Sequence, residues 1–196
     1  MTAVSLVLRS LMEDLADGCI NSYLSIDDSP KPVPSPVIPP TGILPVVDCG
    51  NLLIVACPSV TSAFQGPVER CALVMQANLT VTVSRCVANL TDWGHPASQS
   101  ELTADGLLLA QDVSTLWYGL TGQCRQGLLW KSFADLDCSS TRFRDMRPGA
   151  SGGIAWVTWQ ISVDLATSLL AGNDPITWIT GEALDWASLE TVDWIS

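Results

Sequence analysis

The chain has 196 residues, 47% of them apolar and only 15% charged, and a formal net charge of −11. At this length one domain buries roughly 70% of its unfolded surface, so a core forms without staples, and the apolar excess excludes wholesale disorder. Nine Lys and Arg against twenty Asp and Glu exclude a general nucleic-acid binder, which needs a cationic footprint, and a surface this poor in charge predicts burial against other subunits.

The chain opens on a predicted helix over residues 1–17. Val4, Leu8, Leu11, Met12 and Leu15 recur at the spacing of one helical face, and Gly18 is expected to close it. No basic run precedes these apolar residues and Arg9, Glu13 and Asp14 interrupt them, unlike a signal peptide. Residues 30–45 then hold seven of the twelve prolines. Such a tract tends to polyproline II and is excluded from a sheet interior, so it is expected to run as an extended arm over a surface.

Residues 51–57 form a short apolar strand candidate. Its run Leu52–Cys57 is far short of the roughly 20 residues a membrane-spanning helix needs. Residues 71–87 alternate strictly, with Leu73, Met75, Ala77, Leu79, Val81 and Val83 on the core face. A strand this long exceeds the usual ~5–6 residues and is expected to project or to belong to a hairpin arm. Asn78 and Asn89 head Asn-Leu-Thr sequons, read as strand and turn chemistry for want of a secretory context.

Residues 89–99 read as a loop around Trp93-Gly94-His95-Pro96. A second helix follows from about Ser100 to Leu120, with Leu102, Leu109, Val113, Leu116, Trp117 and Leu120 as its stripe and Ser98 or Ser100 as N-cap. Residues 128–133 and 138–146 read as strands leading to a turn at Pro148-Gly149, and 154–165 alternates again. The order predicts an α+β domain over residues 1–172, a largely antiparallel sheet packed on one side by two helices. Residues 173–196 form an extension that is acidic and aromatic. It has no Lys or Arg, five carboxylates, and Trp178, Trp186 and Trp194 at a spacing of eight. That spacing puts the indoles on one face of an extended chain, suited to docking into grooves of a neighbour.

Residues able to do chemistry are scattered. His95 is the one histidine; a Ser-His or Cys-His mechanism would have to use it, and nothing marks a partner. There is no phosphate loop or dinucleotide fingerprint, and Gly149–Gly153 precedes a strand where a phosphate site would need a helix. The seven cysteines (Cys19, Cys49, Cys57, Cys71, Cys86, Cys124 and Cys138) include no Cys-x-x-Cys pair. They read as small core residues kept reduced in a cytosol, with one disulfide formed after release from the cell left open. The expectation is no enzyme, no cofactor and no metal site. Among the few cations, Arg142, Arg144 and Arg147 lie along one strand, where Arg142 and Arg144 share a face. Inter-subunit ion pairing is the favoured reading, over solvated pairing with the chain's own acids and over DNA phosphate contact.

The succession of an amphipathic helix at 3–16, a long arm, the strand 71–87, the helix 100–120 and the closing strand 154–165 resembles the tail-terminator, or tail-completion, proteins of long-tailed bacteriophages. The resemblance covers roughly residues 1–170 and extends to the segment Met146-Arg147-Pro148-Gly149 through Trp159-Gln160-Ile161. It implies a virion structural protein, assembled in the host cytoplasm as a six-fold homo-oligomeric ring. That ring would cap the tail tube protein, meet a head-side connector, and let DNA through its lumen without specific binding; no membrane and no catalytic residue are implied. The interface residues expected on this reading are Arg142, Arg144, Arg147, Trp178, Trp186 and Trp194. The alternatives are another neck component such as a head-completion or stopper protein, and, from a different class, a ligand-binding module or enzyme built around His95.

Overall fold

A computed structural model describes residues 3–27, 32–39, 50–65, 72–87, 97–151 and 153–166. The elements run α1 (Ala3–Ser25), β1 (Ser35–Val37), β2 (Leu52–Gln65), β3 (Ala72–Cys86), α2 (Gln99–Arg125), β4 (Thr141–Ser151) and β5 (Ile154–Ala166), with a 3-10 turn at Cys138–Ser140. The five strands form one sheet in the order β1-β2-β3-β5-β4. β1 pairs parallel to β2 and every other pairing is antiparallel. The α+β class with two helices and a largely antiparallel sheet is therefore as expected. The rest of the proline tract, His95 and the extension 173–196 lie outside the described residues.

One face of the sheet carries the core. Leu53, Val55 and Cys57 of β2, Ala77, Leu79, Val81 and Val83 of β3, and Trp159, Ile161, Val163 and Leu165 of β5 pack with both helices in one cluster. The period of two in β3 and β5 puts every second side chain there. From α1 come Leu8, Leu11, Met12, Leu15, Cys19 and Tyr23. From α2 come Leu116, Leu120 and Cys124. Trp159 is fully buried, stacked between Trp117 and Phe143 at centroid distances of 5.3 and 5.1 Å.

Several boundaries differ from expectation, each for a packing reason. Gly18 does not end α1; it is an interior contact, where an added Cβ would sit 2.6 Å from Leu129 Cδ1. The helix continues because Cys19 and Tyr23 extend its buried stripe for two more turns. α2 starts where expected, with Ser98 as N-cap in a capping box completed by Glu101, but runs on to Arg125. Its first turns overhang the core, so Leu102 of the apolar stripe is 54% exposed and Leu107, off the stripe, is 62% exposed. β2 continues past Pro58 to Gln65 through a register shift between Ala56 and Ser59, and pairs with β3 as the long hairpin anticipated from β3's length.

Residues 128–133 are not a strand. They belong to a loop whose Leu129, Trp130, Phe133 and Leu136 point into the core, while Trp130 Nε1 donates to Thr141 Oγ1 at 2.8 Å. Asp14 of α1 pins this loop by accepting from the Ser132 backbone N–H and hydroxyl at 2.9 and 3.0 Å. An apolar run that is buried as a loop has the same composition as a strand, so periodicity could not separate the two. Pro148-Gly149 likewise does not turn; β4 passes straight through to Ser151, which pairs with Ile154. Gly149 is in the strand because the Trp156 indole lies against it, 2.5 Å from where a Cβ would be. The tract residues 35–37 form the edge strand β1, and Pro36 takes a position that a sheet interior would refuse it.

Cysteine chemistry also departs from a wholly reduced set. Cys124 in the last turn of α2 is bonded to Cys138, and Cys86 is disulfide-bonded as well. Cys19 and Cys57 are free and buried, and burial pushes both thiols up, that of Cys19 far up. They are the small core residues that the sequence suggested.

The α1–α2 contact supplies a paired prediction. Gly119 faces Ser22, whose side chain an added Cβ would overlap and whose Cα it would reach at 3.0 Å. Gly119→Ala is expected to push the helices apart and cost about 1–3 kcal/mol. Gly122, one turn on, meets nothing within 4 Å, so Gly122→Ala is expected to stabilise by about 0.5–1 kcal/mol through helix propensity. Urea midpoints of the two variants, measured side by side, check both signs.

Candidate functional site

The helices cover one face of the sheet; the opposite face is part-exposed along Gln76, Thr80, Thr82, Thr158 and Gln160 and buried at Ile54, Ala56, Ser84 and Ser162. Cross-strand neighbours share a face, so the registers Ser59↔Asn78, Thr82↔Thr158, Thr80↔Gln160, Asn78↔Ser162 and Gln76↔Asp164 lie on it. Along β3 and β5 it is mostly amide, hydroxyl and carboxylate, while Leu52, Ile54 and Ala56 of β2 and Trp156 of β5 add apolar surface. Thr82 and Thr158 hydroxyls lie 2.9 Å apart. Asn78 Nδ2 donates to Ser59 Oγ at 3.1 Å, and Ser162 Oγ donates to Asn78 Oδ1 at 3.0 Å. Gln76 Nε2 donates to Asp164 Oδ1 at 2.7 Å. Asn78, a sequon residue, is thus part of a strand network.

Along one margin of this face runs β4. Arg142 lies opposite Ser162, and Arg147 lies opposite Thr158. These positions differ by an odd number of residues and would fall on opposite faces of a regular strand. A register shift between Phe143 and Met146 inserts an extra residue in β4, so Phe143 and Met146 both reach the core while Arg147 joins Arg142 on the open face. Arg144 lines a cleft of about 220 Å³ on the same face with Ser59, Asn78, Thr80, Gln160 and Ser162. All three arginines therefore lie along one side. The sequence placed only two of them together, because a bulge leaves no mark in the alternation.

Two of the three are already paired within the chain. Arg142 Nη2 is 2.9 Å from Asp164 Oδ2, and Arg147 Nη2 is 2.9 Å from Asp145 Oδ2. Arg144 forms no salt bridge among the described residues; its backbone carbonyl accepts from Trp159 Nε1 at 2.9 Å. The hydrogen bond from Arg147 holds the Asp145 carboxyl below the ordinary aspartate range. A depressed folded-state pKa means the pair is present above the unfolded value and is lost as pH falls through the folded one. In an NMR titration, Asp145 is expected to titrate below an unstructured aspartate, and Arg147→Ala is expected to move its midpoint up.

The groups of strongest chemistry lie elsewhere, under the helices. Arg85 extends the core-facing parity of β3 and is buried with Asp112 of α2. Its Nε and Nη2 donate to Asp112 Oδ2 and Oδ1 at 2.9 and 2.6 Å, and Tyr23 Oη donates to Oδ1 at 2.8 Å. Arg85 Nη1 donates to the Pro32 carbonyl and Asn51 Oδ1 at 2.9 and 3.2 Å. Burial works against the guanidinium's charge, but the Asp112 carboxylate outweighs it and the Arg85 pKa is raised. Burial and the same carboxylate push the Tyr23 phenol far up. With its donors engaged, this cluster ties β3, α1, α2 and the proline segment together; it is a structural keystone. The sequence signal for it existed: Arg85 falls on the apolar parity of β3, and Asp112 falls between the stripe positions Leu109 and Leu116.

Among the described residues, no group of three His, Cys, Asp or Glu could hold a metal ion, and no helix is long and apolar enough to cross a membrane. Trp178, Trp186 and Trp194 lie outside the described residues. No protein-family model matches this chain, and no curated protein matches it.

Proposed function

We propose that this chain is a virion structural protein, the repeating subunit of a six-fold ring that caps the tail tube of a long-tailed phage and joins it to a head-side connector. The observation that supports this reading most is the one-sided sheet. Its helices cover one face, and the other, part-exposed and polar along much of β3 and β5, is bordered by Arg142, Arg144 and Arg147. A closed ring is built from heterologous contacts, in which one surface of a subunit meets a different surface of the next. The open face is one such surface. The overhanging first turns of α2, with Leu102 and Leu107 exposed, are a second.

Extension of the sheet from subunit to subunit is disfavoured by its edges. β1 carries Pro36, while β4 carries a bulge and Pro148, both devices that blunt strand addition. Contact through faces fits better, and Arg144, the one of the three arginines without a salt bridge among the described residues, is placed to meet a carboxylate of an acidic neighbour. The role is geometric and draws on no catalytic group or cofactor. A net charge of −11 would keep the lumen from gripping DNA in passage.

The test is deletion of the gene from the phage that carries it, followed by electron microscopy of the lysate. Overlong free tails beside DNA-filled heads are expected. Leaking heads with tails of normal length would move the protein to head completion, and normal infectious particles would sink the structural role. With the purified protein, rings on tail tubes are expected to fail for Arg144→Glu and to persist for Arg9→Glu, whose residue pairs with Glu13 on exposed α1.

A further inference from the structure

A groove of about 540 Å³ runs between the last turns of α1 and α2. Ile26, Tyr118 and Leu128 supply apolar surface, and Tyr118 is 71% exposed, a large amphipathic ring with water on most sides. Among the described residues no carboxylate lines this groove; beside the polar Asn21, Ser25, Gln123 and Gln126 its charged lining residue is Lys131, which forms no salt bridge among them. The groove is therefore a partly apolar slot with a single cation, and its natural occupant is an acidic aromatic segment.

The chain carries such a segment and releases it nearby. β5 ends at Ala166. Three residues earlier Val163 pairs with Thr141, which follows the 3-10 turn of Cys138, and Cys138 is bonded to Cys124 in the last turn of α2. β5 thus ends on the side of the sheet to which the last turn of α2 is tied. Fully extended, residues 167–196 would span about 100 Å, so reach is not limiting. Within them, 173–196 hold three tryptophans, five carboxylates and no cation. Tethering at this length sets a local concentration on the order of millimolar, which favours the chain's own groove over a neighbour's.

We propose that residues 173–196 dock in this groove of their own subunit, with indole rings against Tyr118 and Leu128 and a carboxylate on Lys131. This departs from docking on a neighbour, as the sequence alone suggested, and it stands independently of the ring.

Carbodiimide cross-linking of the full-length protein tests it, using an equal mixture of ¹⁴N- and ¹⁵N-labelled chains and peptide mapping. A link from Lys131 to a carboxylate of 173–196, within one isotope, is the expected product. Lys131→Arg keeps the charge and is expected to abolish the link. In parallel, chymotrypsin cleavage after Trp178 and Trp186 is expected to be roughly tenfold faster in Tyr118→Ser/Leu128→Ser than in the wild type, the loss of about one hot-spot contact. Both side chains are exposed, so this variant keeps its fold, which circular dichroism checks. Links joining ¹⁴N to ¹⁵N chains would overturn the proposal in favour of exchange between subunits. Absence of any link, with equal cleavage rates, would overturn docking altogether.

Discussion

Asp112→Ala is expected to destabilise the protein by about 3–5 kcal/mol, the cost of removing one partner from a buried ion pair. The reason is the arrangement around it. Asp112 accepts three hydrogen bonds, two from Arg85 in a fork and one from Tyr23, and both charged residues are shielded from solvent. Removing the carboxylate leaves a buried guanidinium that cannot shed its proton and has lost its counter-ion, with the neutral Pro32 carbonyl and Asn51 still accepting from it. Tyr23→Phe removes one donor and leaves the ion pair intact, so a loss of about 1 kcal/mol is expected. Replacing all three together, as Tyr23→Phe/Arg85→Met/Asp112→Leu, is expected to recover most of the stability, because no buried charge then lacks a partner. Urea denaturation of the four proteins measures this ordering. If Asp112→Ala lost less than Tyr23→Phe, the buried pair would not be the keystone of the fold.

The network also bears on the proline segment. Arg85 donates to Pro32, three residues before β1, and to Asn51, the residue before β2. β1 is only three residues long, too short to hold an edge by its own ladder. The guanidinium therefore supplies a second anchorage for this part of the arm. The triple variant separates the two roles: global stability is expected to return, whereas amide exchange at residues 35–37 is expected to stay faster than in the wild type.

What the sequence revealed and what it hid divide along physical lines. Alternation in β3 and β5 and the apolar stripe of α1 named the core correctly, because burial imposes a period on an element; of the α2 stripe only Leu116 and Leu120 are buried, while Leu102 and Trp117 are exposed. Gly18 and Gly149 misled, since a glycine that makes room for Leu129 or Trp156 is spelled the same as one that ends a helix or forms a turn. The stretch 128–133 misled because a buried loop and a buried strand share a composition. At the open face, the arginines were visible as residue types, but the bulge at Phe143–Met146 that aligns Arg147 with the others depends on pairing with β5. Cys124 and Cys138 could not be paired from spacing, because it is the fold of the loop between them that brings their Cα atoms to 5.1 Å.

That disulfide carries the second large effect. Cys124 and Cys138 are 14 residues apart, and a cross-link closing a loop of this size stabilises by about 3 kcal/mol in the chain-entropy description. The closed loop is not held by sulfur alone. Leu129, Trp130, Phe133 and Leu136 are buried, and Asp14 binds Ser132. The core contacts persist when the bond is absent, so Cys124→Ser/Cys138→Ser is expected to fold and to lose about 2–3 kcal/mol. Cys86 is also disulfide-bonded, which makes reductant alone an ambiguous probe. The informative comparison is thermal melting of wild type and variant, each with and without dithiothreitol. The reductant-dependent drop is expected to shrink in the variant by its own share, leaving what the Cys86 bond contributes. Should the variant match the oxidised wild type, the packing of Trp130 and its neighbours would hold the loop unaided, and the bond would be dispensable to the wall of the groove formed by Leu128 and Lys131.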